Sequence, residues 1–284
     1  ERWTGRRTKA DEAHELSGIN DIAYTPDFEE YFKKAVSECE NICLDIDDTR
    51  EERDYTEAHR FARRMKEEYP AKKIVNIRPA LAEIRTIKAD CEIDAMREAV
   101  RITGEGIKAM MHGVRDGMKE YEIKGLYDSA LLANGCLEPA FPSIISAGQN
   151  NFCIHYYAYS GTAHTGDMVL CDVGACYDFI GCDISRGFPL DGKFSDRQRK
   201  LYEAAYATSQ HLFDTIKPGY LMEEVDREAQ RFCYTYLHDY GLVDKPEHIG
   251  KLMWHGGSHH VGFDTHDIVK RPEIIAPGMV FCVD

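Results

Sequence analysis

Two stretches of this chain repeat one another in order and in spacing. Gly117 and Gly219, 102 positions apart, each open a run of helical composition, and Asn134-Gly135 and Gly241 each close one. After the first run comes His155, with Met168-Val169-Leu170-Cys171 thirteen residues later; after the second comes His266, with Met279-Val280-Phe281-Cys282 at the same interval. An acid trails each apolar segment, Asp172 in one copy and Asp284, one place further on, in the other. Agreement in order and spacing predicts a duplicated α+β unit. Two such units related by a pseudo-twofold axis would bring both acid-bearing segments to one centre. In the first copy Asp172 is answered by Asp183 on a return strand. The second copy stops at Asp284, so the counterpart of Asp183 is expected beyond the last residue.

The residues before this repeat read differently. Residues 1–86 have α/β character: Asn41–Leu44 and Lys73–Ile77 read as short strands, and Asp54–Glu68 as a helix stopped at Tyr69-Pro70. The junction to the second domain, residues 87–284, is expected around Ile84–Lys88. From Glu92 onwards Ile93, Met96, Val100, Ile107 and Met110 recur at near-helical spacing, predicting a long amphipathic helix with a core-facing stripe.

The chemistry concentrates in the last two-fifths. Val169–Gly174 and Phe179–Phe188 read as a hairpin around a turn near Ala175–Asp178. Alternation then lets Asp172 and Asp183 face the same side. Two facing carboxylates repel unless a cation lies between them. His255 and His259 are four apart, but Gly256 and Gly257 favour a loop or strand start over a helix. One can be a ligand and the other a substrate contact, while His260 reads as structural. Carboxylates with a neutral imidazole suit a pair of divalent ions, and two ions together can activate a water and polarise a carbonyl. Because a histidine ligand must be neutral, activity is expected to decline below about pH 6. A competing motif, Leu44-Asp45-Ile46-Asp47-Asp48-Thr49, resembles the DxDxT signature of haloacid-dehalogenase-like phosphatases, but the charged run after it suits a solvated acidic loop better, and no downstream lysine or further acid pair placed on strands is identified.

Composition narrows the classes. With 284 residues, 43% of them hydrophobic, the chain can bury a sizeable core. A net charge of −14 repels nucleic acid and anionic membranes, so neither is an expected partner. There is no apolar run of membrane-spanning length and no signal peptide pattern. The ten cysteines include no CxxC pair, which predicts reduced, mostly buried thiols and a cytoplasmic protein. No phosphate-binding glycine loop and no Gly-x-Ser-x-Gly elbow occurs.

The segments Phe141–Ile145, Asn151–Tyr156, Cys171–Gly174, Gly181–Arg186, His255–Asp267 and Pro277–Phe281 together resemble the catalytic domain of the proline-specific metallopeptidases, the Xaa-Pro aminopeptidase and prolidase group. The resemblance implies an α+β pita-bread fold over residues 87–284, lacking its carboxyl-terminal end, preceded over residues 1–86 by part of an α/β creatinase-like amino-terminal domain. It implies two divalent ions per subunit, manganese first, with cobalt or zinc as alternatives. Asp172 would bind one ion, Asp183 would bridge both, and His259 would bind the other. His155 and His266 would contact the substrate and stabilise the tetrahedral intermediate, with His255 lining the site. Asp284 falls where the family has a metal-binding glutamate, one methylene longer. The implied activity is removal of the residue preceding proline from peptides with proline at position 2, by a homodimer. A prolidase restricted to dipeptides, or a metal-free binding module on the same fold, are the alternatives.

Overall fold

The computed structural model describes residues 3, 5–51, 53, 55–253 and 256–283. The chain divides into two compact units, Glu1–Leu81 and Ala82–Asp284.

In the first unit, α1 (Ala10–Ser17) and α2 (Phe28–Glu38) precede β1 (Asn41–Leu44). Strand β1 pairs in parallel with β2 (Lys73–Asn76), Ile42 opposite Ile74. Parallel neighbours need a crossover, supplied here by α3 (Glu57–Glu68). Val36, Ile42 and Met65 close a small core with Phe32 and Phe61. The acidic segment after β1 forms a local turn: Asp47 Oδ1 accepts from Thr49 Oγ1 at 2.6 Å and from Thr49 N at 3.2 Å. The Thr49 hydrogen bonds, with Arg78 nearby, hold the Asp47 carboxyl below the usual range. Arg78, at the start of the helix that follows β2, also pairs with Asp45 at 3.1 Å, so Asp47 is engaged within the turn and Asp45 with that arginine.

Helix α4 (Arg78–Thr86) contains the division between the units. The second unit opens with α5 (Asp90–Gly113) and α6 (Glu120–Ala133). The buried face of α5 differs from the expected stripe. Met96, Ile107 and Met110 are buried, but Val100 is 44% exposed, and Ala95, Ala99, Ile102 and Gly106 complete the face instead. Small residues are used because α6 comes close: a Cβ on Gly106 would stand 2.4 Å from Tyr127 Cδ2. Strand β4 (Met168–Val173) lies between β3 (Ile144–Ala147) and β7 (Ile184–Pro189), antiparallel to both. A small hairpin, β5 (Cys176–Tyr177) and β6 (Ile180–Gly181), fills the connection, turning through positive φ at Asp178 and Phe179. The return strand therefore begins at Ile184, and Asp172 stands opposite Ser185 rather than Asp183.

The second half repeats this scheme with α7 (Asp196–Thr215), α8 (Met222–Asp239) and the antiparallel pair β8 (Ser258–His260) and β9 (Phe281–Val283). Backbone hydrogen bonds confirm the duplication. Gly117 N donates to Ala163 O and Ala163 N to Met118 O; at matching places Gly219 N donates to Ile275 O and Ile275 N to Tyr220 O. Glu120 N to Gly161 O likewise matches Met222 N to Glu273 O. Gly117 and Gly219 take φ of +79° and +101°, which explains why glycine opens both runs. Of the ten cysteines, all free, four are buried and three exposed, fewer buried than expected. No helix among the described residues is long and apolar enough to cross a membrane.

Candidate metal centre

Strand β4 sets up the site by alternation. Val169, Cys171 and Val173 are each 0% exposed in the core, while Leu170 and Asp172 turn the other way into a cavity of about 660 Å³. Burial pushes the Cys171 thiol up to about 12, so it stays an inert thiol. Asp183, just ahead of β7, and Ser185 reach the same cavity. Ser185 Oγ donates to Asp172 Oδ1 at 2.9 Å and fixes that carboxylate.

The second half of the repeat also contributes to the lining. His259 on β8 and His266 in the following loop line the cavity, with ring centroids 4.2 Å apart. His259 Nδ1 lies 3.2 Å from the His260 carbonyl, so Nδ1–H donates there and Nε2 carries the lone pair. That nitrogen is 3.5 Å from Asp183 Oδ2 and 3.0 Å from Cys282 Sγ on β9. His260, the neighbour read as structural, is buried on the other strand face against Phe281, and burial pushes its imidazole down to about 4. Asp226 on α8 also lines the cavity; its Oδ1 accepts from Ser258 N at 3.1 Å. A Cβ on Gly256 would come 2.7 Å from Asp226 Oδ2, so a side chain there would push this carboxylate aside.

His155 is exposed in the loop after β3 and reaches the cavity beside Tyr157, ring centroids 6.1 Å apart. The structure thus brings Asp172, Asp183, His155, His259 and His266 around one space. His255 and Asp284 lie outside the described residues. Among the described lining residues there are three aspartates and no lysine or arginine. Three carboxylates lining one cavity make a negatively charged setting that suits a divalent cation. The ligand atoms of Asp183, His259 and Cys282 lie within 4.8 Å of one another, and a carboxylate oxygen, an imidazole nitrogen and a sulfur all suit a divalent ion.

Several supporting residues escaped the sequence reading. Glu120, 0% exposed at the start of α6, holds the loop that carries His155. Its Oε1 accepts from Ala147 N and Asn150 Nδ2, each at 2.9 Å; its Oε2 accepts from Tyr156 Oη and Gly161 N, each at 2.7 Å. In the sequence it looked like an ordinary acid at a helix start. Asp267 plays the matching part beside His266. Its side chain is fully buried, accepts from Lys88 Nζ at 2.9 Å and from Arg85, and its backbone N donates to His260 O at 2.9 Å. Cys282 read only as part of an apolar strand.

Residues 94–284 match the model of metallopeptidase family M24. The chain belongs to that family. It is 31% identical over 209 residues to the Xaa-Pro dipeptidase of Rattus norvegicus, covering 69% of this chain and 42% of the relative. It is 31% identical over 222 residues to the Xaa-Pro aminopeptidase of Escherichia coli strain K12, covering 74% and 50% respectively. The chain therefore spans about half the length of the curated relatives it matches. Among solved structures, zinc-substituted E. coli aminopeptidase P in complex with product matches with a TM-score of 0.84 at 26% identity, over 99% of this chain and 67% of that one. A Bacillus anthracis protein assigned to aminopeptidase P matches with a TM-score of 0.91 at 30% identity, over 99% and 68%. The fold is the α+β pita-bread fold of these metallopeptidases.

Proposed function

We propose that this protein is a dinuclear metal-dependent exopeptidase that removes the amino-terminal residue from peptides with proline at position 2. The observation that carries this reading is the single cavity lined by Asp172, Asp183, His155, His259 and His266, with no lysine or arginine among its described lining residues. Asp172, Asp183, His259 and Asp284 are the proposed metal ligands, and His155, His255 and His266 the proposed substrate contacts. Residues 87–284 would be the peptidase domain and residues 1–86 part of a creatinase-like amino-terminal domain. A homodimer in the cytoplasm, with manganese, cobalt or zinc, completes the reading.

The bound ions would supply a nucleophilic water near neutral pH and positive charge to meet the developing oxyanion. The residues do the rest. Asp172, anchored by Ser185, and His259, its tautomer set by the His260 carbonyl, present lone pairs inward. His155 and His266, both exposed and both lining the cavity, would donate to the oxygen of a tetrahedral intermediate. Phe141, Ile144 and Leu212 give the cavity an apolar side. A proline ring has fixed φ and no amide hydrogen, so an apolar wall can receive it without leaving a donor unpaired.

Dipeptidase relatives match as well as aminopeptidase relatives, which favours a prolidase as the second reading. Hydrolysis of an Xaa-Pro-Xaa tripeptide by the intact protein, with and without added manganese, tests both, with Asp183→Asn as control. Metal-dependent cleavage lost in the variant is expected. Cleavage of an Xaa-Pro dipeptide alone would replace the reading with prolidase. Cleavage of neither would replace it with a binding module.

A further inference from the structure

We propose that Cys282 supplies a thiolate to the ion held by Asp183 and His259, making this centre selective for zinc or cobalt over manganese. The inference rests on the metallopeptidase reading and adds a donor to it.

Three observations support it. The first is register. In the antiparallel pair β8–β9, His259 stands directly opposite Cys282, so their side chains share a face. The second is distance. Sγ of Cys282 lies 3.0 Å from Nε2 of His259, and Oδ2 of Asp183 lies 3.5 Å from the same nitrogen. Bond lengths of about 2.0–2.3 Å at a tetrahedral zinc ion put neighbouring donors about 3.3–3.6 Å apart. The Asp183–His259 spacing already fits, and the sulfur must withdraw by about half an ångström. The third is orientation. The Nδ1–H of His259 is committed to the His260 carbonyl, which leaves Nε2 as the donor facing both Asp183 and Cys282.

The fate of the other repeat cysteine sharpens the point. Cys171 occupies the matching place in the first half, where it is 0% exposed in the core and its Sγ donates to the Arg186 carbonyl at 3.4 Å. Cys282 makes the matching contact, its Sγ donating to the His259 carbonyl at 3.5 Å, but it is half-buried beside an imidazole and a carboxylate. Two chain positions that read alike thus meet different surroundings, one packed and one capable of ligation.

A site of oxygens and one imidazole accepts hard ions such as manganese. Adding a thiolate moves the set towards zinc and cobalt. The step is plain ligation: the thiol proton passes to solvent, the sulfur–metal bond forms, and nothing is oxidised or reduced.

The test uses the intact protein loaded with cobalt. A sulfur-to-cobalt charge-transfer absorption in the near ultraviolet is expected, and its loss in Cys282→Ser. In dialysis against equal zinc and manganese, followed by elemental analysis, the bound zinc-to-manganese ratio should fall about ten- to a hundredfold in Cys282→Ser. A readout without any variant guards against misfolding. Zinc should shield Cys282 from alkylation, scored by peptide mass spectrometry, while exposed Cys43 and Cys91 react unchanged. Cobalt bound without the charge-transfer band, or Cys282 alkylated equally with and without zinc, would overturn the thiolate ligand and leave the peptidase reading standing. Failure of the native protein to bind zinc, cobalt or manganese would overturn both.

Discussion

The two halves of the repeat face the same task, fixing a histidine-bearing loop beside the cavity, and they solve it from opposite sides. In the first half the anchor sits on the helix: Glu120 reaches out and gathers four donors, three of them from the loop that carries His155 or its side chains and one from β3. In the second half the helix position 102 residues later is Met222, which packs in the apolar core and offers nothing to a donor. There the loop brings its own anchor, Asp267, and takes its donors from Arg85 and Lys88. The halves also differ in their strands. β4 is six residues long and flanked on both sides, whereas β8 and β9 are three residues each. Duplication conserves the backbone pattern far more faithfully than it conserves the side chains that hold it.

That contrast can be broken most severely at Asp267. Asp267→Ala would leave Lys88, 2% exposed at its side chain, as a buried charge without its carboxylate. A loss of about 3–5 kcal/mol in urea denaturation is expected. A loss below about 1 kcal/mol would mean that the loop is held by something else.

Glu120→Gln is the sharper probe. It keeps the shape of the side chain but turns two acceptor positions into donors facing N–H or O–H groups. Charge-assisted bonds of this kind put the cost at about 2–3 kcal/mol. Amide hydrogen exchange should accelerate over 147–161 and stay unchanged over 260–267. Equal acceleration in both loops would refute the idea of separate anchors.

The smallest effect concerns the outer face of the second half, where Glu228 binds Arg231 through both oxygens, at 2.6 and 2.8 Å, and His211 at 2.6 Å. The Arg231 hydrogen bonds, and then that of His211, hold the carboxyl down at about 2. A carboxyl lowered on folding stabilises above its unfolded value of 4.5, and this is lost as pH falls from there to about 2. Because Arg231 is largely exposed, solvent screening reduces the contribution to about 1 kcal/mol. Glu228→Gln should therefore cost that much near neutral pH and nothing at about pH 2. A cost independent of pH would show that packing, not charge, is what the glutamate provides.

The sequence announced those parts of the fold that depend on local pattern. The glycine-bounded helices, the strand before Asp172 and the thirteen-residue interval to each histidine all appear where spacing put them, because turn geometry and alternation act over a few residues. Helix α7 went unread although it carries its own start signal, Ser195 and Gln198 exchanging hydrogen bonds as a capping box. Val100 misled because helical spacing shows which residues share a stripe but not how wide the buried face is. Asp183 sits before its strand rather than on it, because the β5–β6 hairpin consumes the residues that a simple turn would have left for pairing. The anchors Glu120 and Asp267 were invisible for a deeper reason: their partners lie up to 41 and 182 residues away, and no local pattern records them.

Strand β4 places two separate demands on one alternating row of residues. Its odd positions must be apolar to satisfy the core, while Leu170 and Asp172 on the other face answer to whatever occupies the cavity. Substitutions at Leu170 could thus retune what the cavity accepts while the fold is left alone, and substitutions at Val169 or Val173 would do the reverse. A single inserted or deleted residue is different in kind. It would slide the row by one place, deliver Asp172 into the hydrocarbon interior and expose Cys171 to the cavity, losing fold and site in one event.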